Sequence, residues 1–145
     1  MLKGVPAALT SEIVYVLHCM GHGDELVICD ANFPAHTRGS KVIDTGHASV
    51  PKLLGYILKI FPLDDYSPIN SAVMRKEDRD GQLPTPVREM IISLLGEYYQ
   101  GEPRIEELPR DAFYERSGKA YAIIRTADTG LYANVIIKKG VLIEV

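Results

Sequence analysis

His22 stands between two glycines in the stretch Met20-Gly21-His22-Gly23-Asp24-Glu25. An imidazole is the side chain best suited to give or take a proton near neutral pH. Gly21 and Gly23 remove side-chain bulk on both sides, so a small ligand can come close. A position just past a helix C-terminus also favours the imidazolium form, as a general acid requires. Asp30 closes the apolar run Leu26-Val27-Ile28-Cys29. A carboxylate there can act as a base or accept hydrogen bonds from hydroxyl groups. Each residue has a plainer reading. His22 can simply finish a helix at the surface, and Asp30 can cap the backbone amides of the following Asn32-Phe33-Pro34-Ala35 segment.

Two further places carry usable chemistry. Arg110 sits just ahead of Asp111, the expected cap of a short helix, where a cation is electrostatically unfavourable. That conflict points to a role outside stability. Tyr132-Ala133-Asn134 follow Gly130 at the entry to the last apolar run, where an asparagine is either turn chemistry or an amide offered to a polyol. Asp24 and Glu25 read as solvated or structural pairs. His36 and His47 lie in polar loops, at a spacing from Asp30 too irregular for a metal motif, and His18 falls within a helix. Cys19 and Cys29 form no CxxC and read as reduced, buried small hydrophobes. No metal and no cofactor are expected.

The elements that must position these groups follow from periodicity. Ile13, Val16, Leu17 and Met20 repeat at helical spacing between a Thr10 or Ser11 cap and Gly21. Val14, Tyr15 and Cys19 make this helix apolar nearly all round, so it needs cover on two sides, the second from another subunit. Residues 25–29 predict a short buried strand, Asn32–His36 a loop, and Lys41–Thr45 another strand. Val50, Leu54, Ile57, Leu58 and Phe61 mark a second helix, stopped by Pro62. Asn70–Arg75 predicts a third strand, followed by the polar loop Arg75–Pro84. A third helix starts from Thr85 and Pro86 and carries the stripe Val87, Met90, Ile91, Leu94, Leu95 and Tyr98 until Gly101-Glu102-Pro103 breaks it. Arg104–Leu108 reads as a strand and Asp111–Ser117 as a short helix. Ala120–Arg125 and Asn134–Lys138 read as strands joined by a tight connection. This order predicts a layered α/β fold whose mixed sheet is parallel inside and antiparallel at its C-terminal edge.

Composition narrows the classes. The 145 residues suit one domain, 1–145, with 46% apolar and 24% charged residues and a net charge of -3. No basic stripe invites nucleic acid or an anionic membrane, and no apolar run spans a bilayer. The first residues lack the basic-then-apolar layout of a signal peptide, so a cytoplasmic protein is expected. No G-x-G-x-x-G follows a strand, which leaves a nucleotide-binding domain without support.

The blocks MGHGDELVICDANFPAH, RDAFYERSGKAYAII and LYANVIIKKGV, with the opening LKGVP, resemble the family of L-fucose mutarotases and D-ribose pyranases. HGDE, the D-x-x-FPA loop and FYER-x-x-KA resemble the fucose branch. Asn32, where some fucose enzymes carry histidine, and Tyr121, where Phe is common, depart from it. The resemblance implies a three-layer α/β/α, Rossmann-like fold. It implies His22 as proton donor, and Asp30, Arg110 and the triplet Tyr132, Ala133 and Asn134 as substrate-binding residues. It also implies a monosaccharide substrate, fucose or ribose, and ring-shaped homo-oligomers, typically decamers, with sites near subunit boundaries. Mutarotation opens a hemiacetal and recloses it on the other carbonyl face. It needs a proton delivered to the ring oxygen and one removed from the anomeric hydroxyl. An imidazolium as acid, with a carboxylate, a tyrosine hydroxyl or water as base, suffices. The alternatives are D-ribose pyranase activity and a non-catalytic sugar-binding protein.

An extended path from His22 to Asp30 covers about 26 Å, at roughly 3.3 Å per residue. A monosaccharide cannot bridge that distance. Either the chain bends sharply at Gly23, or the two groups meet across a subunit boundary.

Overall fold

The computed structural model describes residues 1–98 and 104–144. The helix break expected at Gly101-Glu102-Pro103 lies outside the described residues. The elements run α1 (Ser11–Cys19), β1 (Glu25–Cys29), α2 (Ala35–Arg38), β2 (Val42–Asp44), α3 (Val50–Leu58) and β3 (Ser71–Met74). They continue with α4 (Pro86–Tyr98), β4 (Ile105–Leu108), α5 (Arg110–Lys119), β5 (Ala122–Arg125) and β6 (Val135–Lys138). A 3₁₀ turn occupies Asp78–Asp80 within the segment expected to be loop.

Local chemistry sets the helix starts. Thr10 caps α1 by accepting from the Ile13 amide at 3.3 Å, and Ser49 caps α3 by accepting from the Lys52 amide at 3.3 Å. Pro109, rather than Asp111, stands at the N-cap of α5, so Arg110 is the first residue of that helix. The segment expected as a loop at Asn32–His36 instead enters the single helical turn α2.

The six strands form one mixed sheet in the order β2-β5-β1-β6-β3-β4. β5 pairs in parallel with both β1 and β2, and β3 pairs in parallel with β4. β6 alone runs the other way, antiparallel to β1 on one side and to β3 on the other. The reversed strand is therefore central, not at the edge, and β5 and β6 are not a hairpin, because β1 lies between them. Val135, Ile136 and Ile137 are all fully buried, as a central strand covered on both faces must be.

Alternate strand residues feed two cores. Leu26, Ile28, Val73, Ile124, Val135 and Ile137 pack against α1, α3 and α4. Val27, Cys29, Ala72, Ile123 and Ile136 pack against α2 and α5 through Phe33, Ala35 and Phe113. The architecture is thus the expected α/β/α sandwich. Two expectations about faces need correction. Cys19 is exposed rather than buried, because the outer side of α1, with Tyr15, has no cover among the described residues. On α4 the buried positions are Arg88, Ile91 and Leu95, while Met90 and Tyr98 of the expected stripe face outward. Among the described residues no helix is long and apolar enough to cross a membrane.

Candidate active site

Five of the six strands point the same way, and their carboxyl ends form one rim. At that rim lies an open cavity of about 300 Å³, lined by Asp30, Met74, Glu77, Asp80, Arg110 and Tyr132 together with Asn134 and neighbouring loop residues. Its volume is at the small end of the roughly 300–1,000 Å³ range of small-molecule sites. Four of the residues expected to bind substrate, Asp30, Arg110, Tyr132 and Asn134, meet here from three separate parts of the chain. Ala133 is fully buried in the core beside them and does not line the cavity.

Asp30 leaves β1 at this rim. One of its carboxylate oxygens accepts from the Asn32 amide at 3.0 Å, so the capping role also holds. Burial pushes its carboxyl above the ordinary value, against the hydrogen bonds from Asn32, Asn134 and Phe33, which pull it down. The Asp30 amide donates to Asn134 Oδ1 at 3.0 Å, which locks the amide plane of a residue only 4% exposed. Asn134 therefore turns its amide nitrogen toward the Asp30 carboxylate and the cavity wall.

Tyr132 has φ +58°, rare for a residue with a side chain, and this turns its ring into the cavity. Its hydroxyl donates to an Asp80 carboxylate oxygen at 2.5 Å and accepts from the Glu77 amide at 3.0 Å. Burial, then the Asp80 bond, raises the Tyr132 phenol, while the same bond lowers the Asp80 carboxyl. Arg110 faces Glu77 at 3.5 Å, an ion pair that offsets its place at a helix N-terminus. Gly130 precedes this turn. A Cβ there would stand 2.6 Å from Val87 Cγ2, so only glycine lets the loop lie against α4. The buried Asp128 holds the same loop by accepting from the Gly130 and Val50 amides, each at 2.8 Å.

Glu77, Arg79 and Asp80 were not among the expected site residues. They lie in a polar segment without periodicity, and only the approach of Tyr132 gives them a place. Arg88 was also unexpected. Buried on α4, it donates through Nε to the Met74 carbonyl at 3.0 Å and fixes the strand exit from which that segment starts.

His22 is elsewhere. Gly23, at φ +86°, turns the chain between α1 and β1, and its amide donates to the Lys139 carbonyl. The imidazole Nε2 lies 3.1 Å from Asp64 Oδ1, and the ring lies 5.3 Å from that of Tyr66. Asp64 is buried. Burial opposes its charge, but hydrogen bonds from Ser67, His22 and the Tyr66 amide outweigh it and hold the carboxyl down at about 2. Asp64 in turn bonds through its amide to the Lys138 carbonyl. Lys138 pairs with Glu25, whereas Asp30 and Asn134 meet at the other ends of β1 and β6. His22 and the cavity are thus at opposite rims of the sheet.

Several other titratable side chains have structural partners. Glu25 and Glu106 hold Arg116, with the Glu25 contact at 2.6 Å, and Asp24 accepts from the Gly21 amide at 2.7 Å. His36 pairs with Asp44 at 2.7 Å, and His47 bonds the start of α3 at Ser49. Burial pushes the Cys29 thiol up, away from reactivity. Among the described residues no three His, Cys, Asp or Glu side chains lie close enough to hold a metal ion. A larger hollow of about 570 Å³ under the N-terminal arm is almost wholly apolar and gathers no comparable set of polar groups.

The profile of the RbsD / FucU transport protein family matches residues 3–142. The chain belongs to the RbsD/FucU family. Among its relatives is the fucose mutarotase of Danio rerio, 44% identical over 147 residues that cover 98% of this chain and 95% of the relative. The crystal structure of the fucose mutarotase from Streptococcus pneumoniae in complex with L-fucose superposes with a TM-score of 0.89. It is 37% identical and covers 98% of this chain and 100% of that one. Bacillus subtilis RbsD, complexed with D-ribose, shares the fold at a TM-score of 0.76 and 23% identity, covering 99% and 100%. Within the RbsD/FucU family the sequence thus stands much nearer to the fucose enzymes, as its HGDE and FYER blocks imply.

Proposed function

We propose that this chain is a cofactor-free L-fucose mutarotase, one domain over residues 1–145, which interconverts the α and β anomers by assisted ring opening and closing. The convergence of buried, oriented polar groups on one small open cavity carries the reading. Asn134 supplies donors, Asp30 an acceptor, Tyr132 a hydroxyl and Arg110 a cation, a set suited to a ring bearing hydroxyls on every side. Fucose mutarotases at about this level of identity support the choice of sugar.

The acid is His22, and it comes from next door. β1 alone separates Glu25 from Asp30 by about 16 Å, and His22 lies beyond Glu25. We therefore read the complete site as one protomer's cavity closed by His22 of the partner subunit, in a ring-shaped homo-oligomer, a decamer. The uncovered outer side of α1, next to His22, supports that assembly. Two free thiols support a cytoplasmic location.

Exchange NMR on the anomeric protons of L-fucose tests the reading. The wild-type protein accelerates exchange, and His22→Ala loses most of that acceleration while still binding the sugar. Unchanged exchange on adding wild-type protein refutes the enzyme and leaves a sugar-binding protein.

A further inference from the structure

The mutarotase reading requires a base at the anomeric hydroxyl, and the cavity contains one that the family resemblance does not name. We infer that Tyr132 and Asp80 form a two-residue proton relay, with the Tyr132 hydroxyl contacting the sugar and Asp80 taking the proton behind it. This deepens the mutarotase reading and rests on it.

The geometry fixes the direction of the relay. A phenol oxygen has one proton and two lone pairs. In this structure the proton is donated to Asp80 at 2.5 Å, and one lone pair accepts from the Glu77 amide at 3.0 Å. One lone pair is left, on an oxygen that lines the cavity. The only role left to it is to accept, and a sugar hydroxyl is the donor that the cavity admits. The other carboxylates at the rim are less suited. Asp30 already takes the Asn32 amide on one oxygen and is the acceptor for a sugar hydroxyl, and Glu77 faces Arg110. Asp80 has Arg79 at 3.3 Å, which keeps it charged and ready to receive.

The step balances without any added reagent. The anomeric O–H bond breaks and its proton passes to Tyr132 Oη, while the tyrosine proton passes to Asp80. The electrons of that O–H bond become the second bond of the C1 carbonyl. The C1–ring oxygen pair leaves to the ring oxygen, which takes a proton from His22 of the partner subunit. Rotation about C1–C2 presents the other carbonyl face, and the reverse transfers close the ring and restore every group. Asp80 is then a positioning and relay residue, and Tyr132 the group that touches substrate.

Kinetics of L-fucose anomer exchange on the full-length oligomer test the relay. Asp80→Asn keeps the shape and removes the acceptor, so kcat falls about 100-fold while KM changes less than about threefold. Tyr132→Phe loses as much, and the double variant loses no more than either single, because the two act as one unit. In Asp80→Ala, added formate restores kcat at least about tenfold while chloride at equal ionic strength does not, a response that a structural role would not give. A kcat within about threefold of wild type in Asp80→Asn, losses that multiply in the double variant, or no effect of formate overturns the relay. If the Asp80 variants fail to fold, Tyr132→Phe decides alone, since it keeps ring and backbone, and a loss under about threefold overturns the proposal. A wild-type protein without exchange refutes the mutarotase reading itself, an outcome distinct from active wild type with silent variants.

Discussion

If His22 and the cavity meet only across a subunit boundary, two inactive variants must rescue each other. The variants are His22→Ala and Asn134→Ala. Within one chain the two residues cannot share a sugar. β1 holds its ends apart by about 13 Å over Glu25–Cys29 alone, with His22 beyond one end and Asn134 beyond the other. Every site then draws its acid from one protomer and its cavity from the next. In a ring assembled at random from equal amounts of the two variants, a given site has an intact His22 with a chance of one half and an intact cavity with a chance of one half. About one quarter of the sites are therefore wild type at both positions, and activity rises from near zero to about 25% of wild type. The measurement is anomer exchange on co-expressed, doubly tagged oligomers, compared with each pure variant and with the two mixed after assembly. A pair of lesions in the same site, as an in-chain dyad would have, cannot complement. Every site would then carry one defect, so activity confined to the level of the pure variants refutes the intersubunit reading.

Three other perturbations follow from contacts in the structure. Asp64→Asn removes a carboxyl whose folded value, about 2, lies below its unfolded one. The charge therefore stabilises the fold above pH of about 4, by about 2 kcal/mol, and that contribution is lost as pH falls toward 2. Denaturant titrations at fixed protein concentration should show the gap between wild type and variant closing over that range. A gap independent of pH refutes the assignment. Phe113→Ala empties a fully buried site that supports Phe33, its ring 5.9 Å away at the cavity, and should cost about 3–5 kcal/mol in thermal unfolding. Gly130→Ala drives a methyl group against Val87, whose Cβ at 2.9 Å belongs to the helix and cannot rotate aside. Stability should fall by about 1–3 kcal/mol, and KM should rise more than kcat falls, measured by the same exchange assay.

Much of the fold was legible because its signals are local. The Thr10 cap, the proline opening α4 and the apolar runs of β1 and β3 each report on a few neighbouring residues. Strand order is not local. The short Ala127–Ala133 connection reads as a tight one, yet β1 lies between the strands it joins, and only the unbroken Val135-Ile136-Ile137 run hinted at a central position. The site divides the same way. Asp30, Arg110, Tyr132 and Asn134 stand at element ends, where a polar residue is conspicuous, and the family blocks include them. Glu77 and Asp80 lie in a run where every residue is polar and none stands out. Asp64 is 42 residues from the imidazole it holds, a pairing that no spacing rule predicts. Arg88 was hidden for the opposite reason, because a charged side chain within an apolar helix is assigned to solvent until a buried carbonyl is found for it.

The reversed central strand explains why a chain this short can build such a cavity. In an all-parallel sheet each strand enters from the rim opposite the site, so only exit loops reach the ligand. β6 runs against its neighbours, so its entry loop reaches the site rim between the exits of β1 and β3. Leu131–Asn134 thereby stands between Asp30 on one side and the Glu77–Asp80 segment on the other. Asn134 bonds the first and Tyr132 the second. The same reversal sends the C-terminal end of β6 to the far rim, where Lys138 and Lys139 fasten the Asp64 and Gly23 segments around His22. A single strand thus positions the cavity at one end and His22 at the other, and holds them a strand length apart. Within one chain that separation keeps the two from meeting. In the proposed ring, the same separation would set the spacing at which they meet across neighbouring chains.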